Sequence, residues 1–96
     1  MKAAVAKQPV SVGISSRRMF DYESGIFNDP ECGVSSIDHA TLVVGYGSEN
    51  GTEYWIMKNS WKSTWGEEGY MRLEIQQGAG ICRIQEQVNY PITNDS

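Results

Sequence analysis

The stretch ATLVVGYGSENGTEYWIMK, residues 40–58, decides the fold of this 96-residue chain. It contains two β-rich segments, residues 40–46 and 54–58, on either side of Asn50-Gly51. An Asn-Gly pair between two such segments is a strong sign of a β-hairpin. The stretch therefore predicts two long antiparallel strands joined by a tight turn.

Further strands are predicted on both sides of this hairpin. Residues 10–15 alternate apolar with small polar residues, residues 69–75 alternate again, and residues 81–91 look extended. Residues 1–7 are rich in Ala and Lys and predict the end of a helix before Pro9. Four or five antiparallel strands with short helical pieces make the chain mostly β, and the lack of repeats or linkers makes residues 1–96 one unit.

The composition excludes several classes of protein. Eight basic residues against twelve acidic ones give a net charge of −4 and a pI near 4.8. This balance argues against partners such as nucleic acid or an anionic membrane, which require clustered Lys and Arg. The longest apolar run, residues 40–47, is too short to span a bilayer. Residues 1–9 do not have the apolar core of a signal peptide, so we expect the sequence to begin downstream of any targeting segment.

His39 and Asn59 stand at the open end of the predicted hairpin. If the turn is centred on Asn50, residues whose numbers sum to 100 lie opposite each other, and His39 faces Trp61 with Asn59 on the same face. A two-residue Asn-Gly turn gives a sum of 101 and puts His39 and Asn59 on opposite faces. We favour the first register, which pairs a histidine with an amide beside an indole.

A histidine held by a side-chain amide is suited to general-base chemistry. The amide oxygen of Asn59 would accept from one ring N–H of His39, which sets the tautomer and aims the other nitrogen. Trp61 would keep water away from this hydrogen bond. The plainer interpretation is a histidine at a strand end with a structural role, an asparagine that forms a turn, and tryptophans that belong to the core.

Several segments together resemble the papain family of cysteine proteases, and plant members most of all. The most specific are residues 36–40 and 54–61, which contain Asp-His-Ala and Asn-Ser-Trp, followed by residues 65–70. Weaker matches occur in the same order at residues 8–12, 25–27, 32–33 and 90–91. The resemblance covers essentially the whole chain and implies the antiparallel, barrel-like C-terminal lobe of the two-lobed α+β papain fold.

The resemblance also implies roles for individual residues. His39 is expected to be the general base and acid, Asn59 the residue that orients it, and Trp61 the shield of their hydrogen bond. The expected substrate-binding residues are Gly13, Asp38, Ala40, Trp65 and Gln87. Among these, Trp65 would line the leaving-group side of the cleft, and Gly13, Ala40 and Gln87 the main specificity pocket.

The two cysteines, Cys32 and Cys82, are either unrelated buried thiols or one disulfide as far as composition shows. The resemblance implies the disulfide, and with it a secreted, vacuolar or lysosomal protein. Two cysteines and one histidine have no zinc-ligand spacing, so neither a metal nor a cofactor is expected. Asn50-Gly51-Thr52 and the triplet at Asn94 both match the N-glycosylation acceptor pattern, and we consider Asn50 a candidate site.

The chain departs from the family in lacking the nucleophile. The segment Cys-Gly-Ser/Ala-Cys-Trp/Tyr, which carries the catalytic cysteine and lies upstream of the His and Asn, does not occur here. We therefore expect the isolated chain to be inactive. The expected partners are an N-terminal lobe that bears the nucleophile and a peptide or protein substrate. We also expect a second copy of the chain to bind through an apolar patch at Trp61 and Trp65. Lys62 and Arg83 are smaller departures, at positions where the family usually has Gly.

Two other functions remain open at this point. A non-catalytic protein-binding module derived from such a protease would be encoded by a gene without the N-terminal lobe. A carbohydrate-binding β module would use its tryptophans as stacking platforms, and sugar would quench their fluorescence. The second alternative does not account for the His39-Asn59-Trp61 arrangement.

Overall fold

The computed structural model describes residues 2–20, 22–29, 31–33, 37–59, 61, 64–76, 78 and 80–89. Its elements, in chain order, are α1 (Lys2–Lys7), β1 (Val10–Ile14), β2 (Ile26–Phe27), β3 (His39–Glu49), β4 (Thr52–Lys58), β5 (Tyr70–Glu74), a 3₁₀ helix (Ile81–Arg83) and β6 (Gln87–Asn89). Within these residues, no helix combines the length and the apolar character needed to cross a membrane. The mostly β class predicted from the sequence is confirmed.

The six strands form one sheet in the order β2-β5-β4-β3-β1-β6. Every neighbouring pair is antiparallel except β2 and β5, which run parallel. The sheet is open, because β2 and β6 at its edges do not pair with each other in the described part of the chain. The barrel-like expectation is therefore corrected to an open sheet with one parallel edge pair.

The β3–β4 hairpin contains both registers that the sequence left open. From the turn to the Gly45–Ile56 pair, the numbers of paired residues add up to 101. The turn is therefore the two-residue Asn50-Gly51 form. A β-bulge at Val44 then shifts the register, and Val43 lies opposite Met57. From the bulge to the open end, paired residues sum to 100. The prediction of a turn centred on Asn50 is wrong, but the predicted pairing at the open end is right because the bulge absorbs one residue of β3.

The core lies on one face of the sheet and is built by the predicted alternation. Val12, Ile14, Met57, Met71 and Leu73 are completely buried. The residues that alternate with them along the same strands face outward, except Gly13, which is buried as well. Apolar side chains at every second position thus cover one side of the sheet, as expected for half-buried strands.

A disulfide between Cys32 and Cys82 closes the core where β1 ends. The Cys82 carbonyl accepts from the Ser15 amide at 2.9 Å, which ties the 3₁₀ helix to the chain just after β1. The predicted disulfide is confirmed, but the extended segment expected over residues 81–91 begins with this helix, and residues 90–91 lie outside the described part. The helix is kinked, because Cys82 and Arg83 adopt left-handed φ values of 56° and 59° within it.

Candidate active site

His39 and Asn59 meet at the open end of the hairpin. His39 is the first residue of β3, and Asn59 follows the last residue of β4. The His39 Nε2 and Asn59 Oδ1 atoms lie 2.8 Å apart, and Asn59 is 95 % buried, with 5 % of its surface exposed. Because Oδ1 can only accept, Nε2 carries the proton and donates it, which leaves Nδ1 to gain or lose a proton. The arrangement fixes the tautomer of a half-buried imidazole.

Two aromatic side chains, Trp61 and Phe20, extend a ring stack that begins at His39. The Trp61 ring lies parallel to the His39 ring, with centroids 5.3 Å apart and an interplanar angle of 20°. Phe20 also stacks on Trp61, with centroids 4.7 Å apart and an angle of 11°. Phe20 is 63 % exposed, so the outer surface of the stack faces solvent. No local pattern indicates this contact, because Phe20 lies in a segment without periodicity, 41 positions from Trp61.

Trp65 holds the stack from its edge. Its ring meets Trp61 nearly at right angles, with centroids 4.9 Å apart, and its Nε1 donates to the Met19 carbonyl at 3.0 Å. The next residue, Gly66, has a φ of 60°, and a β-carbon there would lie 2.7 Å from the Tyr70 carbonyl oxygen. The Trp-Gly step is therefore needed for this loop to place the indole. Trp61 and Trp65 are both half-buried, and the more exposed aromatic at this surface is Phe20.

An ion pair fastens the loop that carries Trp65 to the sheet. Both carboxylate oxygens of Glu67 accept from the Arg72 guanidinium, at 3.0 and 2.9 Å, and one of them also accepts from the Gly25 amide at 3.1 Å. These hydrogen bonds, Arg72 first, lower the pKa of Glu67 below its ordinary value. The same contacts raise the pKa of Arg72. No local pattern predicts this ion pair, since Glu67 lies in a loop and meets Arg72 only through the position of β5 in the sheet.

Asp38 precedes the histidine but is fastened to another residue. Its Oδ1 accepts from the Ser16 amide at 2.9 Å and from the Ser16 hydroxyl at 2.8 Å. These two hydrogen bonds, the backbone one first, lower the pKa of Asp38, and the charge of His39 contributes in the same direction. Asp38 is thus an anion in the position next to His39. Ser16 sets the orientation of the Asp38 carboxylate. Ser16 lies 22 residues away in the chain, and nothing in its local sequence indicates this role.

The residues predicted to line a pocket form a row across three strands. Gly13 of β1 lies opposite Ala40 of β3 on one side and opposite Gln87 of β6 on the other. The row is next to the Ile14–His39 pair, so it runs directly beside the histidine. The side chain of Gln87 is outside what the structure describes.

Ala40 also lines an open, mainly apolar cavity of about 270 Å³. Its described lining residues are Ser11, Ala40, Thr41, Leu42, Lys58 and Asn59. Leu42 is 41 % exposed there, although it is a large apolar side chain. Gly13 is not among these residues, so the structure brings Ala40 to the cavity and leaves Gly13 beside it.

Asn50 lies at the opposite end of the hairpin from this site. It is exposed, and it forms the turn together with Gly51. Cys32 and Cys82 are bonded to each other, so neither sulfur is available as a thiol next to His39.

Comparison with known proteins identifies one family. A family model described as papain family cysteine protease matches residues 1–92. Among curated relatives, a probable cysteine protease RDL6 of Arabidopsis thaliana is 46 % identical over 100 residues, which cover 100 % of this chain and 28 % of the relative. Germination-specific cysteine protease 1 of the same plant is 50 % identical over 97 residues, which cover 96 % of this chain and 25 % of the relative.

A solved structure shows the same backbone arrangement. The bromelain protease from Ananas comosus, in complex with the E64 inhibitor, superimposes with a TM-score of 0.88 at 42 % sequence identity. The match covers 98 % of this chain and 45 % of that one. The chain thus spans between a fifth and a third of the length of the curated relatives that it matches. With the family model matched over nearly its whole length, the chain belongs to the papain family of cysteine proteases.

Proposed function

We propose that this chain is the C-terminal half of a papain-like cysteine endopeptidase and supplies its general base, His39, together with the orienting residue, Asn59. The observation that carries the proposal is the 2.8 Å hydrogen bond from His39 Nε2 to Asn59 Oδ1 under the Trp61 ring. The substrate is a peptide bond, and the reaction is hydrolysis through an acyl-enzyme.

In this mechanism, His39 moves a proton between the nucleophile and the leaving group. Its Nδ1 takes the proton of a cysteine thiol that the other half of the enzyme provides, which forms a thiolate–imidazolium pair. The imidazolium then gives the proton to the departing amine. Asn59 keeps Nε2–H engaged in both states, and it adds no negative charge that would compete with the thiolate.

The surrounding side chains have supporting roles in the proposal. Trp61 excludes water from the His39–Asn59 hydrogen bond, which strengthens it in a less polar environment. Trp65 lines the leaving-group side, and Asp38 contributes to substrate binding next to the base. The row of Gly13, Ala40 and Gln87, which runs beside His39, forms a wall of the main specificity pocket.

It follows from this proposal that the isolated chain is inactive. Covalent catalysis requires a thiolate, and the two cysteines of the sequence are bonded to each other. Activity therefore depends on a partner lobe with the nucleophile and an oxyanion donor. The exposed Leu42 and Phe20 are apolar surfaces that such a lobe, or a second copy of the chain, would cover. The disulfide supports a secreted, vacuolar or lysosomal site of action.

The experiment has two stages, and the first uses the chain alone. Alkylation without reductant, followed by intact-mass measurement, should add no label, and a fluorogenic peptide should not be hydrolysed. A label on Cys32 or Cys82 that rises and falls with hydrolysis would contradict the proposed division of roles.

The second stage restores the missing half. The chain is refolded together with the nucleophile-bearing part of a plant relative, and hydrolysis is measured for His39→Ala, Asn59→Ala and the control Asn28→Ala. Loss of the base should lower kcat by about 10² to 10⁴. Loss of Asn59 should lower it about 10- to 100-fold, since a hydrogen bond to a charged group contributes about 1.5–3 kcal/mol. Asn28 is exposed and directly follows β2 at the edge of the sheet, so its variant should retain full activity. Restored activity that does not depend on His39 would overturn the proposal.

A further inference from the structure

The turn of the β3–β4 hairpin carries a motif that peptide hydrolysis does not use. Asn50 and Gly51 are the two residues of the turn, and Thr52 is the first residue of β4. Asn50-Gly51-Thr52 matches the acceptor pattern for N-linked glycosylation. Asn50 has a φ of 51°, a left-handed conformation that asparagine tolerates better than most residues.

The surroundings of Asn50 leave room for a large substituent. Asn50 and Gly51 are both exposed, and a β-carbon added to Gly51 would have no atom within 4 Å. In the part of the chain that the structure describes, no side-chain hydrogen bond uses the Asn50 amide. A group attached at Nδ2 would therefore extend into solvent without breaking a contact of the fold.

The turn is also far from the candidate active site. Strand β3 runs from His39 to Glu49, and ten steps of about 3.3 Å separate its ends by about 33 Å. A substituent on Asn50 thus lies at the opposite end of the hairpin from the imidazole. It leaves the His39–Asn59 pair and the cavity at Ala40 uncovered.

The disulfide is an independent indication that the chain meets the glycosylation machinery. Disulfides persist in the oxidising compartments of the secretory pathway and are rare in the cytosol. Cys32 and Cys82 are bonded in this structure. A chain that acquires this bond during folding passes through the lumen in which N-linked oligosaccharides are transferred.

We propose that Asn50 is an N-glycosylation site whose co-substrate is a lipid-diphosphate-linked oligosaccharide. A bond forms between Asn50 Nδ2 and the anomeric carbon of the first sugar, and the bond from that carbon to the diphosphate oxygen breaks. The amide nitrogen loses one proton, and the lipid diphosphate is the leaving group. Transfer occurs before the hairpin closes, because Thr52, which the transferring enzyme reads with the asparagine, is half-buried in β4 afterwards.

The test uses purified oligosaccharyltransferase, its lipid-linked donor and the reduced, unfolded 96-residue chain. Asn94→Gln removes the other acceptor triplet, so that a gain of one oligosaccharide mass reports on Asn50. The gain should persist in Thr52→Ser and disappear in Asn50→Gln and Thr52→Ala. The whole oligosaccharide mass is the readout, because Asn-Gly pairs also exchange ammonia for water spontaneously, which adds about 1 Da. If a short Asn-Ala-Thr peptide is glycosylated in the same reaction while Asn50 is not, the proposal is wrong.

A second measurement tests whether the fold accepts the sugar. The glycosylated chain is reoxidised, and its urea unfolding is compared with that of the unmodified chain. The disulfide should form, and the midpoint should change little, since surface changes alter stability by about 0.5 kcal/mol or less. Failure to form the disulfide after glycosylation would also overturn the proposal. Neither readout involves peptide hydrolysis, so this result is separate from the outcome for the proposed protease function.

Discussion

The bulge at Val44 determines which face of β3 presents His39 to Asn59, and this can be tested by changing the length of the strand. Between the turn and the Val43–Met57 pair, β3 uses residues 43–49 and β4 uses residues 52–57, so β3 has one residue more. Deletion of Val44 makes the two lengths equal and keeps Val43 opposite Met57. Insertion of one Ala between Thr41 and Leu42 instead moves His39 to the other face.

The structure gives the magnitude expected for each variant. Val44 is half-buried, so its removal costs roughly 1 kcal/mol, about half of the value for a fully buried valine. The ladder without a bulge regains a regular hydrogen bond, which contributes about 0.5–1.5 kcal/mol. The deletion should therefore change the free energy of unfolding by no more than about 1 kcal/mol. The insertion takes His39 away from Asn59 Oδ1 in a buried site, which costs about 1–3 kcal/mol.

The position of His39 can be followed by NMR without ambiguity, because it is the only histidine of the 96 residues. The ¹H–¹⁵N spectrum of its ring should show a protected Nε2–H in the parent chain and in the Val44 deletion, and an exchanging one in the insertion. Urea unfolding of the same samples gives the free energies. Loss of the protected Nε2–H on deletion of Val44, or its survival in the insertion, would refute the assignment of register to the bulge.

Three further predictions follow from contacts elsewhere in the fold. Replacing Cys32 and Cys82 by Ser should lower the free energy of unfolding in urea by ~4 kcal/mol, because the bond closes a separation of 50 residues; a loss under ~1 kcal/mol would count against this. Glu67 has a lowered pKa, so its contribution to folding stability is present above its unfolded pKa and is lost as pH falls through the folded pKa. Glu67→Gln should therefore make thermal stability less dependent on pH below about 5. An unchanged pH profile would contradict this. Arg83→Ala should cost ~1 kcal/mol in chemical unfolding by removing the hydrogen bond to the Gly33 carbonyl at 2.7 Å, and Arg83→Gly should recover ~1 kcal/mol of this by relieving the left-handed backbone; equal losses would refute the strain argument.

Local patterns predicted the strands but not the shape of the sheet. The apolar alternation of residues 10–15 and 69–75 corresponds to buried positions in β1 and β5. The parallel pairing of β2 with β5 was missed, because β2 has only two residues and too few positions to show a pattern. The 3₁₀ helix at Ile81–Arg83 was missed for a different reason, since Cys82 and Arg83 have left-handed φ values that neither residue type favours.

The local sequence predicted the central pair of the candidate site, His39 and Asn59. It did not predict the residues that support this pair. His39, Asn59 and Trp61 were found because short segments around them carry the family resemblance. Phe20 stacks on Trp61, and Ser16 binds Asp38, through contacts between segments that are distant in the chain. No local sequence pattern can report contacts of that kind.

The amino-acid sequence by itself determined that this chain is a mostly β member of the papain family with a His-Asn pair at the end of a hairpin. Strand alternation, the Asn-Gly turn and the residue types of the site are local, and near neighbours suffice to specify them. The tertiary structure decided the face on which His39 lies, because the turn alone would have put His39 and Asn59 on opposite sides. The bulge at Val44 reverses that outcome, and its place is set by packing of β3 against β4 and β1 at once, which involves residues far apart in the sequence.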